Sequence, residues 1–199
     1  MCVLSEEHKS ILTIRALFPE ETELIKKAKA NDRVAQLMLY NQHAPKMLAV
    51  ARYYIKDLQH AEDVLMKAFY KAFSKLNQFK NTSNFEGWLR KIIVNESLSF
   101  LRLNNQLIFT DTEEVFEQKQ FHEIPSYDGL QENVQLWIDQ LPENQKVVFI
   151  LYAIEGLAHK EIAQTLNIPV GTSKSDLSRA RVKLQKKINE NHLKKNEKA

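Results

Sequence analysis

Only four glycines and five prolines punctuate the 199 residues of this chain, too few for the tight turns that link many strands of a sheet. An all-α fold is therefore expected, and the length allows one or two domains with enough apolar material for a proper core. Helical spacing supports this. In "HAEDVLMKAFYKAFSKL", Leu65, Phe69, Ala72, Phe73 and Leu76 fall on one stripe, which reads as a core face rather than a cofactor box.

Upstream, "ETELIKKAKANDRVAQLMLYNQHAPKMLAVARYYI" reads as two helices with a corner near Asn31 and Asp32, where Asp32 can cap the second and Pro45 can bend it. Downstream, Ser83 and Glu86 have capping-box spacing, so a helix should start at Ser83 or Asn84 and run to about Arg102, leaving Asn77 to Thr82 as a polar loop. From Leu103 to Gly129 no periodicity is sustained, and Pro125 and Gly129 mark a linker. Pro142 suits the first position of a helix that stops at Gly156, and two further helices are expected at His159 to Leu166 and Val170 to about Asn189. The organisation is thus an extension at 1–20, helical domains at 21–102 and 130–190, an acidic flexible linker at 103–129 between them, and a basic tail at 191–199.

Net charge is only +3, but it is unevenly placed. Phe69 to Arg102 carries six basic and two acidic residues, Asp111 to Glu132 seven acids and one lysine, and Arg179 to the end eight basic residues against two acids. A basic, acidic, basic order suggests two polyanion-binding modules joined by a segment that avoids their surfaces, against the alternative of three solvated faces. Cys2 is the only cysteine, so an intramolecular disulfide and a cysteine-zinc cluster are both excluded. With no signal-peptide layout, a cytoplasmic protein is expected.

"EIAQTLNIPVGTSKSDLSRARVKL" places a short amphipathic helix, a corner bearing Pro169 and a polar second helix in sequence. On a wheel, Ser173, Leu177, Ala180, Leu184 and Ile188 fall on one side, while Gly171, Lys174, Ser175, Ser178 and Val182 gather on another with Arg179 at its edge. Ile162, Ala163 and Leu166 supply the inner face of the preceding helix. This is a helix-turn-helix pattern, and a helix entering the major groove needs short donors and basic groups near its N-terminus. In the other basic segment, Lys80, Arg90, Lys91 and Arg102 alternate with Phe79, Phe85 and Trp88. Such interleaving suits unstacked bases, although Phe85 and Trp88 equally suit a core. Asn81, Thr82, Ser83 and Asn84 suit either the edge of a flipped base or plain turn and cap roles.

"AEDVLMKAFYKAFSKLNQF" and "NFEGWLRKIIVNESLSFLR" together resemble region 2 of bacterial RNA polymerase sigma factors, and "LPENQKVVFILYAIEGLAHKEIAQTLNIPVGTSKSDLSRARVKLQKKI" resembles their region 4. With only a short linker between the two, the chain is similar to the extracytoplasmic-function subgroup of the sigma-70 family. The resemblance covers about Glu21 to Ile188. It implies a factor that binds core RNA polymerase and directs it to promoters. The implied polymerase contacts are Glu62, Asp63, Met66, Lys67 and Tyr70. The minus-10 element would meet Lys80, Asn81, Thr82, Ser83, Asn84, Trp88, Arg90, Lys91, Asn95 and Arg102. The minus-35 element would meet Thr172, Lys174, Ser175, Ser178 and Arg179. An anti-sigma partner is implied by the subgroup alone, and no cofactor is implied. Met66 and Lys67 stand where the family often has Gln-Glu, Ser173 where valine is frequent, and Asp176 where a basic residue is common.

Two rivals remain from the residues alone: a dimeric helix-turn-helix regulator acting without polymerase, and a helical adaptor binding only proteins. An enzyme fits poorly. His8, His43, His60, His122, His159 and His192 are scattered without metal-ligand spacing, and no glycine-rich phosphate loop or nucleophile elbow is present.

Overall fold

The computed structural model describes residues 20–80, 84–104 and 131–196, with backbone alone at 131–133 and 191–196. The extension as far as Pro19, Asn81 to Ser83 and most of the expected linker lie outside the described residues. Within them the chain is all-helical, in two modules.

The N-terminal module comprises α1 (Glu21–Lys29), α2 (Arg33–Tyr54), α3 (Leu58–Ser74), a 3-10 turn (Leu76–Gln78) and α4 (Phe85–Leu103). Charges in α1 follow its dipole, with Glu21 and Glu23 in the first turn and Lys26, Lys27 and Lys29 in the last. Asn31 takes a left-handed φ of 64° at the corner. Asp32 then caps α2 as expected, its Oδ1 accepting from the N–H groups of Val34 at 2.8 Å and Ala35 at 3.1 Å. α2 continues through Pro45 to Tyr54. Asp57 caps α3 by accepting from His60 N–H at 2.9 Å.

The α3 stripe is buried at Leu65, Phe69 and Ala72, and Phe73 packs against it. Leu76 joins the same core from the 3-10 turn, because α3 ends two residues earlier, at Ser74. Of the two possible starts for α4, the structure uses Asn84, whose Oδ1 accepts from Gly87 N–H at 3.2 Å. Phe79, Phe85 and Trp88 form one cluster, with Phe79 edge-on to Phe85 at 5.5 Å and 5.3 Å from Trp88. Each fully buried Leu, Ile or Phe side chain in such a core stabilises by about 1.5–3 kcal/mol.

The C-terminal module comprises α5 (Gln131–Ile138), α6 (Glu143–Ala153), α7 (His159–Leu166) and α8 (Val170–Asn196). Pro142 is the residue before α6 rather than its first, with its carbonyl accepting from Lys146 N–H at 2.9 Å. α6 closes at Ala153, short of Gly156. The reversal after it places Gly156 at φ 71°, with Leu157 N–H bonded back to the Leu151 carbonyl at 3.0 Å. Asn167 at φ 54° ends α7, and Ile168 N–H returns to Ala163 at 2.9 Å. α7 packs against α8, with Ile162, Ala163 and Leu166 buried on the one and Leu177 and Ala180, on the inward face expected of α8, buried on the other. α8 runs to Asn196, beyond the expected end near Asn189, since lysines, glutamines and glutamates propagate a helix well and no breaker intervenes.

The two modules touch. α2 packs against α6, and most of the buried apolar residues of both modules belong to one core cluster.

Candidate nucleic-acid interface

The first turns of α8 project from the helix-turn-helix as a short-chained, positive surface. Gly171, Thr172, Lys174, Ser178, Arg179 and Val182 are exposed and Ser175 is half-buried, its Oγ donating to the Thr172 carbonyl at 3.0 Å. The first turn holds no acidic residue, so lysine, arginine, hydroxyls and the dipole all favour an anion there. Behind this face, Ser173 is fully buried and explained: its Oγ lies 2.9 Å from His159 Nδ1, joining the starts of α7 and α8. Tyr152 stacks on the His159 ring at 4.9 Å, and Arg181 lies 5.2 Å over Tyr152.

Asp176 does not sit among the exposed donors. Only 7% exposed, it turns inward and pairs with Arg179 across 3.6 Å. Burial raises its carboxyl above the ordinary range, while the Arg179 cation pulls it partly back. Its effect is thus less to repel phosphate at the surface than to restrain a neighbouring arginine.

On α4 the expected DNA-facing residues separate into groups. Asn84 is exposed, while Trp88, Lys91, Asn95 and Arg102 are half-buried. At ~100° per residue these five share one stripe about 60° wide, whereas Arg90 lies about 120° away. Arg90 is 5% exposed and grips Glu155 of the other module, Nε donating to Oε2 and Nη2 to Oε1, each at 2.8 Å. In this arrangement Arg90 cannot reach DNA. A guanidinium is buried only with a partner, and the partner here is 65 residues away along the chain. Arg102 is also engaged, its Nη2 donating to the Thr165 carbonyl at 2.7 Å. Lys80 is exposed beyond the 3-10 turn. Burial lowers the Lys91 ammonium pKa. Phe85 is core at 1% exposure, and the half-buried Trp88 packs on it. Asn81, Thr82 and Ser83 lie outside the described residues.

A second surface lies on α3. Glu62, Asp63, Met66, Lys67 and Tyr70 are all exposed, opposite the buried Ala61, Val64, Leu65, Ala68 and Phe69. Met66 is 58% and Tyr70 78% exposed, and methionine and aromatic residues are enriched where proteins meet.

The sequence reading missed the residues that join the modules: Tyr54, Arg52, Gln135, Asp139 and Glu155. The one available signal was Glu155 itself, an acid set in the apolar run "VVFILYAIEGL". Among the described residues no cluster of three or more His, Cys, Asp or Glu could hold a metal ion, and no helix is long and apolar enough to cross a membrane.

Residues 39–106 match the family model for sigma-70 region 2, and residues 131–184 that for sigma-70 region 4. The chain is 29% identical over 181 residues to the RNA polymerase sigma-H factor of Pseudomonas aeruginosa, covering 85% of this chain and 94% of that one. It is 27% identical over 177 residues to the ECF RNA polymerase sigma-E factor of Escherichia coli strain K12, covering 83% and 92%. Among solved structures, a sigma factor RpoE from Bartonella quintana, in complex with the anti-sigma factor NepR, aligns with a TM-score of 0.50 at 26% identity, over 76% of this chain and 95% of that one. Both region matches fall in order on the two helical modules, and the chain belongs to the sigma-70 family of RNA polymerase sigma factors, in its extracytoplasmic-function subgroup.

Proposed function

We propose that this sigma factor docks on core RNA polymerase through the exposed side of α3, using Glu62, Asp63, Met66, Lys67 and Tyr70, and reads promoter DNA at two places. Lys80 to Asn84, with Trp88, Lys91 and Asn95 along α4, meet the opened minus-10 strand. Thr172, Lys174, Ser175, Ser178 and Arg179 enter the major groove at the minus-35 element. The observation that carries this reading is the α8 face: short donors and two cations are exposed on the first turns of a helix whose opposite side is locked into α7.

Unpairing DNA costs a few kcal/mol per flipped base, and the few contacts available to the free chain do not offset it. Polymerase supplies the remainder. Two tethered readers then gain effective concentration once both their sites lie on one promoter. In this role the chain contributes binding and positioning and performs no catalysis. An anti-sigma protein, the kind of partner present in the Bartonella quintana structure, is proposed to hold it inactive. The alternative of a dimeric regulator working alone would require two-fold half-sites protected without polymerase. The test is reconstitution. Purified chain mixed with core polymerase should elute as one complex and protect both promoter elements, and footprints on symmetric sites without polymerase would favour the alternative.

A further inference from the structure

Ser173 carries a hydroxyl on the inward side of α8, where its neighbours Leu177 and Ala180 are apolar and equally buried. A buried hydroxyl contributes little net stability even when it is paired, and an apolar side chain of similar shape does as well or better. What a hydroxyl adds is direction. Apolar contacts let two helices slide and tilt against each other, whereas a hydrogen bond holds only within a narrow range of distance and angle.

The partner of that hydroxyl is His159, the first residue of α7, with Nδ1 2.9 Å from Ser173 Oγ. The imidazole is itself held. Tyr152 of α6 stacks on it with the ring planes 27° apart and the centroids separated by 4.9 Å, and Arg181 of α8 lies 5.2 Å over the Tyr152 ring. The contacts therefore leave α8 at Ser173, pass through α7 and α6, and return to α8 at Arg181. These two positions are about 12 Å apart at ~1.5 Å per residue, and Arg181 lies only about 20° round the helix from Lys174. The ring of contacts thus holds α8 at the back of its first turn and again at the border of its exposed donor face.

Such a hold matters for reading bases. A tilt of about 5° over that span displaces the far end by about 1 Å at the helical rise, while a base-edge hydrogen bond works only within about 2.7–3.2 Å. Recognition by Lys174, Ser175 and Ser178 then depends on the angle at which α7 presents α8.

We propose that Ser173, His159, Tyr152 and Arg181 form a clamp that fixes the angle of α8, and that Ser173 and His159 are positioning residues for minus-35 specificity. The proposal rests on the reading of α8 as the minus-35 reader. In this role the Ser173–His159 bond acts on DNA only through the exposed face of α8.

The test is run-off transcription by the full chain with core polymerase, read as the ratio of output on a cognate template to output on one with a scrambled minus-35 element. Ser173→Val, which keeps the site filled without the bond, should lower this ratio about fivefold or more with no loss of melting temperature. His159→Phe should do the same from the half-buried end of the bond, which tolerates change better. His159→Asn, whose amide can bond Ser173 from near the Nδ1 position, should recover most of the ratio. In a Lys174→Glu background, Ser173→Val should cost nothing further, because the two changes act through one face. An unchanged ratio in folded Ser173→Val and His159→Phe, or losses that follow melting temperature and are not recovered by His159→Asn, would overturn the proposal. A wild-type ratio near one would instead strike the minus-35 reading, and amide NMR then judges the clamp alone. Ser173→Val and His159→Phe should shift the same backbone signals across 174–179, and shifts confined to the immediate neighbours of each substituted residue would overturn it.

Discussion

Replacing Lys174 with glutamate tests the minus-35 assignment at a position where the fold has little at stake. Lys174 is exposed on the second turn of α8, and the inward contacts of that helix come from Ser173, Leu177 and Ala180. An acid near the start of a helix is neutral or favourable by up to about 1 kcal/mol through the dipole, so helicity and melting temperature should hold. The DNA term is larger. A base-edge contact of this kind is worth about 1–3 kcal/mol, which corresponds to roughly a 5- to 150-fold loss. If Lys174 also neutralises a phosphate, the log-log salt slope should shrink by about 0.9. The assay is run-off transcription by the reconstituted holoenzyme on two templates, one carrying the cognate minus-35 element and one with that element scrambled. Lys174→Glu should lower output on the first to near that of the second, while co-elution with core polymerase is unchanged. Full output on the cognate template would refute the placement of this face in the major groove.

The loop before α4 can be tested without touching the core, provided Phe79 and Asn84 are spared, since Phe79 is 4% exposed in the aromatic cluster and Asn84 caps α4. Replacing Lys80, Asn81, Thr82 and Ser83 by Gly-Ser-Gly-Ser should leave closed-complex formation intact but abolish permanganate reactivity of thymines in the melted region, and reactivity at normal yield would remove the loop from strand capture. Met66→Ala with Tyr70→Ala should weaken core binding at least tenfold in a titration while leaving the melting temperature within a few degrees, because neither side chain is buried in the fold; unchanged affinity would move the docking face elsewhere. Asp176→Asn keeps the side-chain shape and removes a charge whose pKa burial has raised. A raised folded pKa means that the folded chain holds its proton more tightly, so the carboxyl favours the fold at low pH and loses that contribution as pH rises from its ordinary value through the raised one. The variant should therefore be at least as stable as wild type at pH 7 and lose part of its advantage toward pH 3 in thermal melts, and a less stable variant at pH 7 would reverse that reasoning. The same change releases Arg179 and should alter minus-35 preference in a selection from random duplexes.

Helix identity was legible because local signals agree: Asp32 and Asn84 cap, Gly156 turns the chain just after α6, and the Leu65, Phe69 and Ala72 stripe keeps helical spacing. Ends were less so. α8 passes Asn189 because termination there would need a breaker that the sequence does not contain. The exposed faces of α3 and α8 were legible for the same reason as their buried ones, since a helical wheel defines both together. What could not be read was the fate of charged residues whose partners lie far along the chain. Arg90 pairs over 65 residues and Tyr54 over 101, and no periodicity encodes such a meeting. Ser173 reads as a lapse in an apolar face until His159 is found beside it. Asp176 reads as a surface acid because its side-chain type is usually exposed, and only the packing of α8 turns it inward.

The central claim is that these two helical modules become a promoter reader only as part of the polymerase. The direct measurement is to sequence the 5′ ends of transcripts made on fragmented genomic DNA by core polymerase with and without the purified chain. The account predicts a discrete set of start sites present only with the chain and preceded by two shared elements about one modular span apart. Start sites identical to those of core alone would contradict it.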